Sequence, residues 1–331
     1  MAADRLVVVG SSAGGVSALM RLVSGLPADF GAPVLIAQHV GAHRSVLPQL
    51  LGSRAKLDVA HAGVGEPIEP GTIRIAPPDH HMLVANGALV LTRGPKENCA
   101  RPAIDPLFRS AALSHGPGVI GVILTGKLDD GTVGLQEIKR RGGIAIAQDP
   151  EDADEPSMPS SAIAHVDVDH VVPLELIPML LVSLASTPPN EPPRSPTSDT
   201  AAIEMNVTLH RGNPVAELEK IARPSTFVCP DCQGALWQIL DSRPQRFRCH
   251  TGHSFTARTL QAAMTSASDY AGWSALRALQ ERALLLHQLG GLEREAGNAA
   301  EASRLESTAK HIERQIGVLN QVLQDGPDPV E

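Results

Sequence analysis

Between residues 5 and 185 the chain alternates short apolar runs with stretches in which apolar residues recur at helical spacing. The predicted strands are 5–9, 33–37, 72–76, 82–84, 89–92, 119–124, 143–147 and 170–172. The predicted helices are 14–25, 45–54, 104–115, 131–140 and 174–185. The run Val119 to Leu124 is apolar at almost every position, as in a strand buried on both faces. The pattern predicts an α/β fold: a doubly wound, mostly parallel sheet with helices on both faces.

The first predicted strand runs into Gly10-Ser11-Ser12-Ala13-Gly14, which fits the nucleophile-elbow pattern G-x-S-x-G. This pattern exposes a serine on a sharp strand-to-helix turn, where glycines tolerate the crowding. The alternatives are a structural turn and a phosphate cradle. The dinucleotide fingerprint G-x-G-x-x-G is not met, because Ser12 stands at its second glycine, and the Gly-Lys-Ser/Thr ending of a phosphate loop is missing.

Two other predicted strands are also followed by reactive side chains. His39 follows the strand 33–37, and Asp129 and Asp130 lie in a glycine-flanked loop after the strand 119–124. Alone, each has a structural alternative: a turn and helix cap for the carboxylates, and a structural role for the histidine. In a parallel sheet such strand ends lie at one edge, so a serine, a histidine and an aspartate could meet as nucleophile, base and orienting acid.

Residues 4–185 resemble the catalytic domain of CheB, the chemotaxis protein-glutamate methylesterase. The stretches that carry the resemblance are Gly10 to Gly15, Gln38-His39, Ile75 to Met82, Arg101 to Phe108, Leu124 to Gly126, Asp130-Gly131, Ala147 to Asp149 and Met158-Pro159. The resemblance implies that Ser12 is the nucleophile, His39 the general base and Asp130 the residue that orients His39. It implies hydrolysis of glutamyl methyl esters, with glutamine deamidation as a second activity, and no cofactor for catalysis. Ser11 and Asp129 are then structural.

Three positions depart from the family pattern. Lys127 and Leu128 stand where the family has methionine and glycine, and Ala13 replaces a common threonine. In the family the backbone N–H of the methionine position belongs to the oxyanion hole, and Lys127 can supply the same group. Arg101 and either His80 or His81 are candidates for lining the cleft, with a surface ion pair and a turn as the alternatives.

Downstream, five prolines in residues 186–200 indicate an extended linker. Cys229, Cys232, Cys249 and His253 then have the spacing of two zinc knuckles, and two short strands between them suggest a zinc ribbon. Four protein ligands would make the zinc structural. The alternative is that the cysteines form a redox pair or are free thiols without a metal. His250, next to Cys249, is expected to point elsewhere.

Residues 270–323 are predicted to form two helices separated by a break at Gly290-Gly291. An antiparallel hairpin is the first interpretation, and self-association or a partner helix is the second. The predicted division of the chain is a catalytic domain over 1–185, a proline-rich linker over 186–225, a zinc-ribbon-like module over 226–260 and a helical hairpin over 261–331.

Composition limits the classes of partner and the cellular location that we expect. With 28 basic and 36 acidic residues the net charge is −8, which argues against nucleic acid as a partner despite the arginines near the cysteines. No apolar run is long enough for a membrane span and no signal peptide is evident, so we expect a cytoplasmic protein. The expected partner is a methylated chemoreceptor or related signalling protein. No receiver domain is expected in the chain, and the C-terminal unit is a candidate regulator or docking arm.

Two alternatives to this function stay open at the level of sequence. One is a non-catalytic signalling or binding module. The departures from the family pattern at Lys127 and Leu128 leave this alternative open. The other is an esterase that acts on a target outside chemotaxis.

Overall fold

The computed structural model describes residues 5–189, 191, 200–240 and 242–325. The strands in chain order are β1 (Leu6–Ser11), β2 (Val34–Gln38), β3 (Asp58–His61), β4 (Thr72–Ile75), β5 (His81–Ala85), β6 (Ala88–Thr92), β7 (Val119–Ile123), β8 (Ile144–Gln148), β9 (His170–Val172), β10 (Ala222–Val228), β11 (Ala235–Ile239), β12 (Arg246–Cys249) and β13 (Ser254–Thr256). The helices are α1 (Gly15–Gly25), α2 (Leu47–Gly52), α3 (Ile104–His115), α4 (Thr132–Arg140), α5 (Ser157–His165), α6 (Ile177–Ala185), α7 (Thr200–Thr208), α8 (Pro214–Leu218), α9 (Ala257–Glu295) and α10 (Ala299–Gln324).

Seven strands form a parallel sheet in the order β3-β4-β2-β1-β7-β8-β9. All six residues of β1 are buried, because this strand lies at the centre of the sheet between β2 and β7. Apolar side chains of α1, α2 and α6 form one core against one face, and those of α3, α4 and α5 form a second core with the opposite face. The predicted fold class is confirmed.

Strand order places a topological switch point beside β1. The chain leaves β1 for β2 on one side, and later places β7 on the other side. Connections diverge at such a point and open a crevice at the carboxyl ends of the strands. Residues that directly follow β1, β2 and β7 therefore meet at one edge.

The sequence pattern missed two elements of this layer. β3 is a four-residue edge strand with one exposed and three half-buried residues, so it lacks an apolar run. Helix α5 contains Pro159 and three serines, which weaken its helical signal. The predicted strands 82–84 and 89–92 form the antiparallel hairpin β5–β6, which is separate from the parallel sheet.

Residues 200–228, part of which was interpreted as linker, contain α7, α8 and β10. Helix α7 buries Ile203, Glu204 and Met205, and it packs against α3. The proline-rich composition ends before this point, so only the earlier part of 186–225 has the character of a linker. The four-part division as a whole stays a prediction.

A second, antiparallel sheet has the order β10-β11-β12-β13 and carries the cysteine cluster at its turns. It belongs to the same compact unit as the parallel sheet, and a second unit begins at Gln261. The second unit holds most of α9 together with α10. The two helices run antiparallel, since Gly272 lies near Leu323 and His287 is bonded to Glu313.

The predicted break at Gly290-Gly291 is wrong, because α9 continues to Glu295. A glycine inside a helix costs only about 1 kcal/mol, and packing against the neighbouring helix outweighs that cost. Gly290 is buried and lies against Ala302 and Leu305 of α10. The reversal falls at Gly297, whose φ of 84° suits a helix C-terminus. Within the described residues, no helix combines the length and hydropathy needed to cross a bilayer.

Candidate active site

Ser12 lies on the turn between β1 and α1. Gly14 has a φ of 75°, and a Cβ at this position would lie 2.8 Å from Asp154. At Gly15 a Cβ would lie 2.1 Å from Oε1 of Gln38. Both positions therefore require glycine, which explains the sequence pattern. The turn leaves Ser12 half-buried at the carboxyl edge of the sheet.

The structure brings Ser12, His39 and Asp130 together. Oγ of Ser12 lies 3.0 Å from Nδ1 of His39, and Nε2 of the same ring lies 2.7 Å from Oδ2 of Asp130. The imidazole is 21% exposed, whereas the carboxylate is 2% exposed. An ionised carboxylate can only accept, so Nε2 carries the proton and the lone pair of Nδ1 faces the hydroxyl of Ser12. This arrangement can deprotonate a serine hydroxyl.

Gln38 braces the serine and the histidine, a role that the sequence analysis did not identify. Its Nε2 donates to the carbonyl oxygens of Ser12 and His39, at 2.9 Å each. Its Oε1 accepts from the hydroxyl of Ser11 at 2.6 Å. Ser11 is fully buried, and its hydroxyl is bonded to this amide, whereas His39 lies beside Ser12.

Asp130 is held by several hydrogen bonds. It accepts from the backbone N–H groups of Ile104 at 2.7 Å and Gly131 at 3.0 Å, and from Nδ2 of Asn98 at 2.8 Å. Burial alone would raise the pKa of Asp130, but the hydrogen bond from His39 and those from its other donors outweigh burial and lower it. Asp130 therefore remains the ionised partner of His39.

A second buried carboxylate, Asp105, shares the same amide donor. Nδ2 of Asn98 donates to Asp105 at 3.0 Å, and the N–H of Gly134 donates to it at 2.7 Å. Burial and the nearby charge of Asp130 raise the pKa of Asp105 well above its usual range. The pair thus divides into an ionised Asp130 and a proton-retaining Asp105. Asp105 lies in a stretch that carries the family resemblance. Its position beside Asp130 depends on contacts between distant residues, so no local sequence pattern could predict it.

Asp129 is buried and does not face His39. It accepts from the hydroxyl of Thr256 at 2.8 Å, and its backbone carbonyl accepts from the N–H of Thr132. Burial raises the pKa of Asp129 to about 6, and the charge of Asp130 adds to this effect. The structure thus places Asp130, not its neighbour, beside the imidazole.

The loop between β7 and Asp130 lies against Ser12. A Cβ on Gly126 would be 2.8 Å from Cβ of Ser12. Leu128, at the family's glycine position, adopts a φ of 63°, a left-handed conformation that glycine accepts without strain. The side chain of Lys127 is mostly exposed and lies 3.5 Å from Glu155. The backbone therefore keeps a conformation suited to glycine although the residue has changed.

The other cleft candidates make structural contacts. The guanidinium of Arg101 is paired with Asp79, and Arg93 binds the same carboxylate. His81 is fully buried; one ring nitrogen accepts from the N–H of Ala103, and the other donates to the carbonyl of Pro95. A ring nitrogen of His80 lies 2.9 Å from the carbonyl of Pro78. The ion pair and the turn contact match the alternatives weighed for Arg101 and His80.

Cys229, Cys232, Cys249 and His253 form a cluster in which all four ligand atoms lie within 4.8 Å of one another. The sulfurs of Cys232 and Cys249 are 3.7 Å apart, and that of Cys249 is 3.6 Å from Nδ1 of His253. Tetrahedral zinc with bonds of about 2.3 Å to sulfur requires a separation of about 3.8 Å between two sulfurs. The donor set and its spacing therefore fit a metal ion.

Comparisons with known proteins all match the N-terminal half of the chain to the same family. A sequence model of the CheB methylesterase family matches residues 7–181. The Thermotoga maritima CheB methylesterase catalytic domain superposes with a TM-score of 0.52 at 37% identity, covering 54% of this chain and 98% of that one. A protein of Leptospira interrogans is 38% identical over 180 residues, which are 54% of this chain and 93% of the relative.

Other relatives are longer than the matched region. Protein-glutamate methylesterase/protein-glutamine glutaminase of Pyrococcus horikoshii is 40% identical, and the match covers 53% of this chain and 49% of the relative. The second such protein of Caulobacter vibrioides is 42% identical, with coverages of 54% and 53%. Both matches thus span about half of each relative's length.

Proposed function

Because the chain belongs to the CheB methylesterase family, we propose that it hydrolyses glutamyl methyl esters on a signalling protein, with Ser12 as nucleophile, His39 as base and Asp130 as its orienting acid. The observation that carries the proposal is the continuous hydrogen-bonded path from Oγ of Ser12 through His39 to the buried carboxylate of Asp130.

The reaction follows from this path. Nδ1 of His39 takes the proton of Ser12 while Oγ attacks the ester carbonyl, and Asp130 stabilises the imidazolium that forms. The bond from carbonyl carbon to methoxy oxygen then breaks, and methanol leaves with the proton from Nδ1. Water, deprotonated at the same nitrogen, attacks the acyl-enzyme and releases the glutamate carboxylate together with the serine hydroxyl.

We assign the backbone N–H of Lys127 to the oxyanion hole. The assignment is supported by the loop that carries Lys127, since Gly126 lies against Cβ of Ser12. Within the described part of the chain, no acceptor is bonded to this N–H. A donor of this kind contributes about 3–4 kcal/mol to transition-state stabilisation. The replacement of methionine by lysine leaves a backbone donor unchanged.

The substrate that we propose is a methylated chemoreceptor or a related signalling protein, and the reaction would take place in the cytoplasm. Glutamine deamidation uses the same acyl-enzyme with ammonia as the leaving group, and the relatives of Pyrococcus horikoshii and Caulobacter vibrioides are named for both activities. An ester outside chemotaxis is the alternative substrate.

We propose that the cysteine cluster holds a structural zinc ion. Cys229, Cys232, Cys249 and His253 supply the four ligands of a closed site, with no position left for a substrate. When bound, zinc ties together the turn before β11 and the turn between β12 and β13. It takes no part in the ester hydrolysis.

The test is methanol release from a methylated receptor fragment by the full chain. Wild type is expected to release methanol, and Ser12→Ala is expected to lose the activity. Ser17→Ala is the matched control, because Ser17 is exposed on α1. Methanol release by Ser12→Ala at the wild-type rate would refute the assignment of the nucleophile, and no release by wild type would refute this substrate.

A further inference from the structure

We propose that the last strand of the small antiparallel sheet and the first turn of α9 complete the active site: Thr256 and Thr259 hold Asn98, and Asn98 positions Asp130 against His39. The inference rests on the proposed function, since it assigns Asp130 a role in catalysis. It makes Asn98, Thr256 and Thr259 positioning residues of the esterase. The region that contains the two threonines lies outside residues 7–181, the range that matches the family.

Thr256 and Thr259 form a reciprocal cap at the start of α9. Oγ1 of Thr256 accepts from the N–H of Thr259 at 3.1 Å, and Oγ1 of Thr259 accepts from the N–H of Thr256 at 2.8 Å. This is the geometry of a capping box, with threonine at the third helical position in place of glutamate. Both residues are 1% exposed, so the cap is buried.

The cap contacts the loops of the active site as well as its own helix. The hydroxyl of Thr256 donates to Asp129, the residue before Asp130. Oγ1 of Thr259 lies 3.1 Å from Oδ1 of Asn98, and the N–H of Thr256 donates to the same oxygen at 3.1 Å. The first of these contacts joins residues 127 positions apart and the second joins residues 161 positions apart, so both exist only in the folded chain.

The amide of Asn98 has one possible orientation. Its oxygen faces the two donors from the cap, and its nitrogen donates to Asp105 and to Asp130. Reversing the amide would place its N–H groups against the N–H of Thr256 and its oxygen against the ionised carboxylate of Asp130. Because the cap holds the amide oxygen, it directs the amide nitrogen toward Asp130.

The backbone of Asn98 is held by the same sheet. Its N–H donates to the carbonyl of Ser254 at 2.8 Å, and the N–H of Ser254 donates to the carbonyl of Lys96. Next to this pair, the buried carboxylate of Glu97 accepts from Arg248 of β12 at 2.9 Å and from Arg109 of α3. The contact between the two sheets is therefore built from buried, charge-assisted bonds.

The experiment compares Thr259→Val, Thr259→Ser and wild type as full-length, zinc-loaded protein. Active sites are counted with a fluorophosphonate probe, and kcat and KM for methyl-ester hydrolysis are measured per active site. Thr259→Val is expected to lower kcat about 10- to 100-fold with KM unchanged, because a shift of about 1 Å in a catalytic group has an effect of this size. Thr259→Ser restores the hydroxyl and is expected to restore kcat.

Thr208→Val is the matched control. Thr208, at the end of α7, is also a buried threonine, but its hydroxyl donates to Glu97 and not to Asn98. The control is expected to lower the melting temperature while kcat per active site stays at the wild-type value. A purely structural role of Thr259 predicts the same behaviour for Thr259→Val, and that result would overturn the proposal.

A second readout does not depend on esterase activity. The proton on Nε2 of His39, shared with Asp130, is expected to give a far-downfield proton NMR resonance in wild type that shifts in Thr259→Val and returns in Thr259→Ser. An unchanged resonance in Thr259→Val overturns the positioning role even if no substrate is turned over. Failure of wild type to react with the probe would instead count against the proposed function alone.

Discussion

Adjacent aspartates at 129 and 130 allow a sharp comparison, because the structure gives them different partners. Asp130→Asn replaces the oxygen that accepts from Nε2 of His39 by an amide, which removes the charge that stabilises the imidazolium. In triads of this kind the change lowers kcat by about 10⁴-fold, or about 5.5 kcal/mol of transition-state stabilisation. Asp129→Asn keeps an oxygen that can accept from Thr256. We expect its kcat to remain at the wild-type order of magnitude.

Asp129 and Asp130 also allow the effect of a carboxylate on stability to be measured apart from its effect on catalysis. Burial raises the pKa of Asp129 to about 6 in the folded chain from its ordinary value of 3.8, a difference of about 3 kcal/mol. The folded state retains this proton more strongly than the unfolded state. The stability that Asp129 contributes is therefore fully present below about pH 4 and is lost as pH rises through about 6. Asp129→Asn removes this loss. It is expected to raise the free energy of unfolding by up to about 3 kcal/mol at pH 8 and to leave it unchanged at pH 4.

The assay is methyl-ester hydrolysis per active site, combined with urea unfolding at pH 4 and pH 8 for wild type and both variants. Loss of activity in Asp129→Asn with full activity in Asp130→Asn would refute the assignment of the acid. Equal stabilisation of Asp129→Asn at both pH values would refute the argument from burial.

Three further changes test other parts of the structure. Glu97→Gln removes one of the two buried carboxylates that face Arg109 and Arg248, and only Glu204 then remains. We expect the free energy of unfolding to fall by about 3–5 kcal/mol in urea titrations, and a loss under 1 kcal/mol would contradict the buried ion pairs. Leu128→Gly is expected to be more stable than Leu128→Ala by about 1 kcal/mol in the same titrations, because only glycine adopts the φ of 63° without strain, and equal stabilities would contradict this conformation. Removing the metal with a chelator is expected to release about one zinc ion per chain, measured by elemental analysis, and to lower the melting temperature. Cys232→Ser is expected to weaken zinc binding and to lower the melting temperature as well. A Cys232→Ser variant that keeps its zinc and its melting temperature would contradict the ligand set.

Much of the parallel layer follows from local sequence. Each central strand is an apolar run that ends in a glycine or a polar residue, so the alternation that places Ser12 and His39 at one edge can be read from sequence without long-range information. The weak elements could not be predicted in this way. Helix α5 carries an internal proline, and the glycines at 290 and 291 in α9 are tolerated because the helix packs against α10.

The surroundings of Asp130 could not be predicted because they depend on contacts between distant residues. Asn98 reaches Asp130 across 32 positions, and Thr259 reaches Asn98 across 161. The ion pair of Glu97 with Arg248 spans 151 positions. Neither hydrophobic period nor motif spacing carries such information, since it arises only when the second sheet packs beside the first.

The central claim is that Ser12 is an activated nucleophile. The most direct measurement is intact-protein and peptide mass spectrometry after treatment of the full chain with a fluorophosphonate. The account predicts a single adduct on the peptide that contains Ser12, which is lost in Ser12→Ala, strongly slowed in His39→Gln, and retained in Ser17→Ala. An unlabelled wild-type protein, or an adduct that persists at the same rate in Ser12→Ala, would contradict it.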